Sequence, residues 1–169
     1  IEMACEFGLA PGCSVFDEED ADDAANAGVE FLKLATREEG NVALLVACLG
    51  QAQDFGLDLY RSVDWLVLWS RPPAPASLAL PGVTTLACIP KYPTQDHDVI
   101  VDDLAERLPA PWGWSSHTVG WDDCVAAVRS GASVIEKHLC LDPSDPEGSW
   151  SLTPDRFARM VADLRVIET

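Results

Sequence analysis

Short apolar runs rich in β-branched residues alternate along this chain with stretches of helical character, and that alternation confines it to βα units on a largely parallel sheet. Six strands are expected, at about residues 9–16, 30–36, 65–69, 83–89, 112–116 and 133–141. The segments 18–27, 42–55, 100–108, 122–130 and 154–167 read as helices. The last carries a clear start: Thr153 is placed to cap it, Pro154 suits the first helical position, and Asp155 favours the positive end of the helix dipole. One connection breaks the rule. Between Ser70 and Val83 the sequence RPPAPASLALPG leaves no room for a crossover helix, so a surface loop is expected there.

With 169 residues, 48% of them hydrophobic, the chain can bury one core, and residues 1–169 are expected to form a single domain. No apolar run approaches the length of a membrane span, and the start IEMACEFGLA lacks the basic and apolar regions of a signal peptide. A cytoplasmic location is therefore expected. The six cysteines lie scattered without CxxC pairs, mostly inside apolar segments, and read as buried free thiols. Acidic residues outnumber basic ones 28 to 11, a formal charge of −17 that repels nucleic acid and anionic membrane surfaces alike. A small anionic substrate would need a local cation, either a metal ion or a lysine.

Parallel α/β folds place their chemistry at the carboxyl ends of the strands. Three such ends stand out. In EFLKLATREEGN, Lys33 lies within a strand, Thr36 at its end and Glu38 in the loop beyond. GWSSHTVG presents Ser115, Ser116 and His117, and GASVIEKHLCLD presents Glu136, Lys137 and His138. A lone histidine at a strand end is more often a hydrogen-bonded structural residue than a ligand. Two at the ends of consecutive strands, about 4.8 Å apart, can converge on one ion and leave positions open for a substrate oxygen. His97, in TQDHDV, has no comparable setting.

Those segments resemble a known family, the N-acetylneuraminate (sialic acid) synthases. GWSSHTVG is similar to the family's G-Y-S-D-H-T-x-G, and GASVIEKHLCLD to its G-A-S-V-I-E-K-H-F-T-x-D. VEFLKLATREEGN, CIPKYPTQDHDV and WSLTPDRFARMV match further segments in the same order. The resemblance implies an α/β fold, an incomplete or truncated TIM-type (β/α) barrel whose six parallel strands are the last six of eight. It also implies a condensation of phosphoenolpyruvate with an N-acetylated amino sugar, assisted by a divalent metal, manganese or magnesium. Carried over by position, His117 and His138 hold the metal, while Lys33, Thr36 and Ser115 bind phosphoenolpyruvate. Tyr92 and Glu38 face the amino sugar, with Glu38 and Lys33 as the catalytic pair.

The chain also departs from the pattern. The family's first two strands and its antifreeze-like domain have no counterpart. Pro90 and Ser116 replace a polar residue and an aspartate, and the P-G-P-D segment is shortened to DPEGSW, leaving its aspartate missing or displaced to Asp145. The turn after the family's fifth strand is read at Trp69, Ser70 and Arg71. A catalytically degenerate metal-binding scaffold, or a different metal-dependent aldolase or lyase, therefore stands beside the synthase reading. Open sheet edges imply a homo-oligomer or a partner chain that completes the barrel.

Overall fold

The computed structural model describes residues 1–69, 80–99, 101 and 104–167. Six strands form one parallel sheet in sequential order: β1 (Gly12–Val15), β2 (Phe31–Leu34), β3 (Asp58–Asp64), β4 (Val83–Cys88), β5 (Trp112–Ser116) and β6 (Val134–Lys137). The helices are α1 (Glu2–Glu6), α2 (Glu18–Ala27), α3 (Val42–Phe55), α4 (Trp65–Trp69), α5 (Leu104–Arg107), α6 (Asp122–Arg129) and α7 (Pro154–Ile167). None is long and apolar enough to cross a membrane.

Local chemistry explains the helix ends. Asp17 Oδ1 accepts from the Asp20 amide at 2.8 Å to open α2, and Asn41 accepts from the Leu44 amide at 3.1 Å to open α3. Gly28 and Gly56 close these helices in the left-handed region, at φ 88° and 71°. The expected helix at 100–108 is described only as α5, and of the expected proline loop at 71–82, residues 71–79 lie outside the described residues.

The third strand corrects the sequence reading. The apolar run Trp65–Trp69 is a turn of helix that buries Leu68, and the strand lies just before it, at Asp58–Asp64. Arg61 between Leu59 and Val63, with aspartates at both ends, hides its alternation: Leu59 and Val63 are buried in the core. The end of this strand is therefore Ser62 to Asp64; of the turn expected at Trp69, Ser70 and Arg71, Trp69 closes the helix and the other two residues lie outside the described residues.

Alternation gives the sheet two faces. Cys13, Val15, Leu32, Leu34 and Leu59 pack with α2 and α3, while Val63, Ala87, Trp112, Trp114 and Ile135 pack in a second cluster with residues of α5, α6 and α7. The other face carries Ser14, Lys33, Ser62, Cys88, Ser115 and Glu136. In the register of the ladder, Asp64, Cys88, Ser115 and Glu136 form one row across β3 to β6, and Ser14 pairs with Lys33. Gly113 lets this face close up: a Cβ there would stand 2.3 Å from Leu86 Cδ2 and 2.6 Å from the Val134 carbonyl.

All six cysteines are free thiols; Cys48, Cys88, Cys124 and Cys140 are buried as expected, whereas Cys5 is exposed and Cys13 half-buried.

Candidate active site

At the carboxyl end of the strands the polar face opens into a cleft of about 280 Å³. Ser14, Lys33, Thr36, Ser62, Tyr92, Ser115, His117, Glu136 and His138 contribute to its lining. Six of the seven residues singled out from sequence thus share one cavity. Glu38 is absent from the wall: its carboxylate stands 3.6 Å from Arg37 Nε and accepts from Asn41 Nδ2 at 3.1 Å.

His117, just beyond β5, is buried, and its Nδ1–H donates to the Ile89 carbonyl at 2.9 Å. Since a carbonyl only accepts, this bond fixes the tautomer and leaves Nε2 with its lone pair. Burial lowers the pKa of His117 and favours the neutral ring, the form that ligates a metal. His138, one residue past β6, uses its Nδ1 on Glu147 Oε2 at 2.9 Å. The ring centroids lie 5.4 Å apart, and Tyr92 packs 4.3 Å from His117 and 6.2 Å from His138.

These residues fit a divalent cation. Two Nε2 atoms about 2.1 Å from one ion at an open angle put their ring centroids roughly 5 Å apart. Engagement of each Nδ1 by a carbonyl or carboxylate is how ligating imidazoles are usually oriented. Among the described residues no group of three or more His, Cys, Asp or Glu side chains is arranged to hold a metal, so a cation here would have two protein ligands, with its other positions left to substrate or water.

The opposite wall is cationic and rich in hydroxyls. Lys33 Nζ lies 2.9 Å from Glu136 Oε1. Burial alone would raise the Glu136 carboxyl, yet the Lys33 ammonium and the Ser115 hydroxyl hold it below its ordinary value. Thr36 Oγ1 lies 2.8 Å from Cys88 Sγ, whose thiol burial pushes up to about 11, so the sulfur stays protonated. Ser62 belongs to the lining, and its buried Oγ has no hydrogen-bond partner among the described residues.

Behind His117 a buried network holds the loop. Asp123 accepts from Trp114 Nε1 at 2.7 Å and from Thr118 Oγ1 at 2.9 Å, and Lys137 donates to Ser116 Oγ at 2.9 Å. Ser116, in place of the family's aspartate, belongs to this network.

Ser14, Ser62 and Glu147 were missed in the sequence. Alternation along β1, in step with Lys33, would have found Ser14; misplacing the third strand concealed Ser62. Glu147 sits in a loop with no periodicity, and it is this residue of DPEGSW, not Asp145, whose carboxylate bonds His138.

The NeuB family profile matches residues 1–169. The N,N'-diacetyllegionaminic acid synthase of Legionella pneumophila is 30% identical over 177 residues, covering 99% of this chain and 49% of that protein. The human N-acetylneuraminate-9-phosphate synthase is 35% identical over 94 residues, covering 52% of this chain and 26% of that protein. The crystal structure of the N-acetylneuraminic acid (sialic acid) synthetase from Leptospira borgpetersenii superimposes with a TM-score of 0.79 at 26% identity, over 98% of this chain and 59% of that one. The chain spans about half the length of such relatives, and its curled six-stranded sheet is the matching part of their barrel. Profile, relatives and fold agree along the whole sequence, and the chain belongs to the NeuB family.

Proposed function

We propose that this cleft binds phosphoenolpyruvate and an N-acetylated amino sugar and takes part in their condensation, with a divalent cation held by His117 and His138. The observation that carries the reading is that one cavity brings together an anion-binding wall, Lys33 with Ser14, Thr36, Ser62 and Ser115, and the imidazole pair. Lys33 supplies the cation that an acidic chain needs for an anionic substrate. The unpartnered Ser62 hydroxyl and its neighbours supply donors for carboxylate or phosphate oxygens. Bound at the imidazoles, a manganese or magnesium ion would act as a Lewis acid toward the sugar carbonyl.

Tyr92, packed tilted against His117 and edge-on to His138, shapes the acceptor side of the cleft. Glu38, the acceptor-side residue that the resemblance implies, would meet the sugar by turning its carboxylate from Asn41 and Arg37 toward the cleft. The methylene carbon of phosphoenolpyruvate joins the sugar carbonyl carbon, a water is consumed and phosphate leaves. Cytoplasmic metabolites of this kind suit the cytoplasmic location expected from the sequence. Within the 169-residue chain, β1 and β6 carry no further strand among the described residues, so association with a second copy or a partner chain belongs to the proposal. Sedimentation as a stable monomer would count against that part.

The metal-binding scaffold keeps one observation in its favour: Lys33 is already neutralised by Glu136. Phosphate release from phosphoenolpyruvate separates the readings. A synthase site releases phosphate only when amino sugar and manganese are both present; release without the sugar, or none at all, rejects it.

A further inference from the structure

A second cavity of about 530 Å³ adjoins the cleft, and the two share Ala35, Thr36 and Tyr92 as a common wall. Its remaining lining is Phe16, Arg37 and Pro90, so the walls are mainly apolar and the one charged group is a guanidinium. Arg37 is held in place there. Its Cζ lies 4.0 Å above the Phe16 ring, and its Nε faces Glu38 at 3.6 Å. Neither Nη has a hydrogen-bond or ion-pair partner among the described residues. Lys33 and Lys91, by contrast, are closed by carboxylates at 2.9 Å and 2.8 Å. In a chain with 28 acidic and 11 basic residues, a stacked guanidinium with spare donors beside a substrate cleft is poorly explained by surface solubility. A planar fork of this kind matches the paired oxygens of a phosphate or a carboxylate.

We infer that Arg37, with Phe16 and Tyr92, forms a subsite for an anionic substituent on the acceptor sugar, at the end of that sugar away from its carbonyl carbon. The inference rests on the proposed reading of the cleft. A sugar whose carbonyl lies at the imidazole pair runs past Tyr92, the shared wall, and its far end enters the second cavity. There the Arg37 side chain, 67% exposed and backed by the Phe16 ring, stays open to an incoming anion.

Binding of three sugars, followed by calorimetry in the presence of manganese and without phosphoenolpyruvate so that no condensation runs, tests this: N-acetylmannosamine, the same sugar phosphorylated on its terminal hydroxyl, and the corresponding uronic acid. At least one charged sugar should bind about tenfold or more tightly than the neutral one, and whichever binds better identifies the anion as phosphate or carboxylate. Arg37→Gln should remove that advantage, with any change in the neutral sugar's affinity much smaller than the advantage lost, while Arg37→Lys should keep part of it. Charged sugars that bind no better than the neutral one, or an advantage that survives Arg37→Gln, would overturn the subsite and leave the cleft reading intact. Failure of all three sugars to bind would overturn both.

Discussion

Lys33 on β2 and Glu136 on β6 form an ion pair of 2.9 Å although three strands stand between them. In a flat sheet, four strand spacings would separate β2 from β6 by about 19 Å. The pair therefore records how far the sheet curls, and it places one charge of each sign at the centre of the concave face. Any substrate anion that uses Lys33 has to share it with Glu136.

This pair gives a signed dependence on pH. The folded protein holds the Glu136 carboxyl below its ordinary 4.5, so the pair contributes stability above that value and loses it as pH falls through the lowered one. Glu136→Gln should cost about 1 kcal/mol at pH 7, since the carboxylate is partly solvated. In urea unfolding, the gap between wild type and variant should narrow below about pH 4; a gap that widens in acid would contradict the assignment.

Glu147 orients His138 through Nδ1. Glu147→Ala should weaken manganese binding about tenfold, the low end for a partner of a ligating histidine given its exposure. Glu147→Gln, which retains an accepting oxygen, should lose less. Equal losses in the two variants would point to a role other than orienting the ring.

Gly113 has no room for a side chain between Leu86 and the Val134 backbone. Gly113→Ala should destabilise the protein by about 1–3 kcal/mol, because the carbonyl cannot move without disturbing the β5–β6 ladder. Denaturant midpoints measure this directly, and an unchanged midpoint would mean that the two strands are not packed so closely.

Asp123→Ala leaves the buried Trp114 indole N–H and Thr118 hydroxyl without their acceptor. A loss of about 3 kcal/mol is expected. The indole should also report it, as a change in Trp114 fluorescence that Asp123→Asn, which keeps an acceptor, largely restores.

Most of this architecture was legible in the sequence where hydrophobic period and burial agree. β5 and the helices α2, α3 and α7 fall where alternation, caps and Pro154 put them. β3 was displaced because Arg61 interrupts its pattern while WLVLW imitates a buried strand. The two histidines were visible from position alone, since consecutive strand ends must be neighbours in a parallel sheet. The partners that orient them were not: Ile89 contributes only a backbone carbonyl, and Glu147 arrives from a loop whose path no periodicity encodes. Arg37 escaped notice for a similar reason, because its significance lies in the Phe16 ring beneath it, 21 residues earlier in the chain.

Calorimetric titration with manganese tests the centre of this account most directly. The wild-type chain should show one saturable site, absent in both His117→Ala and His138→Ala while their folded spectra are retained. Equal binding by either variant would mean that the acidic surface, and not the imidazole pair, holds the ion.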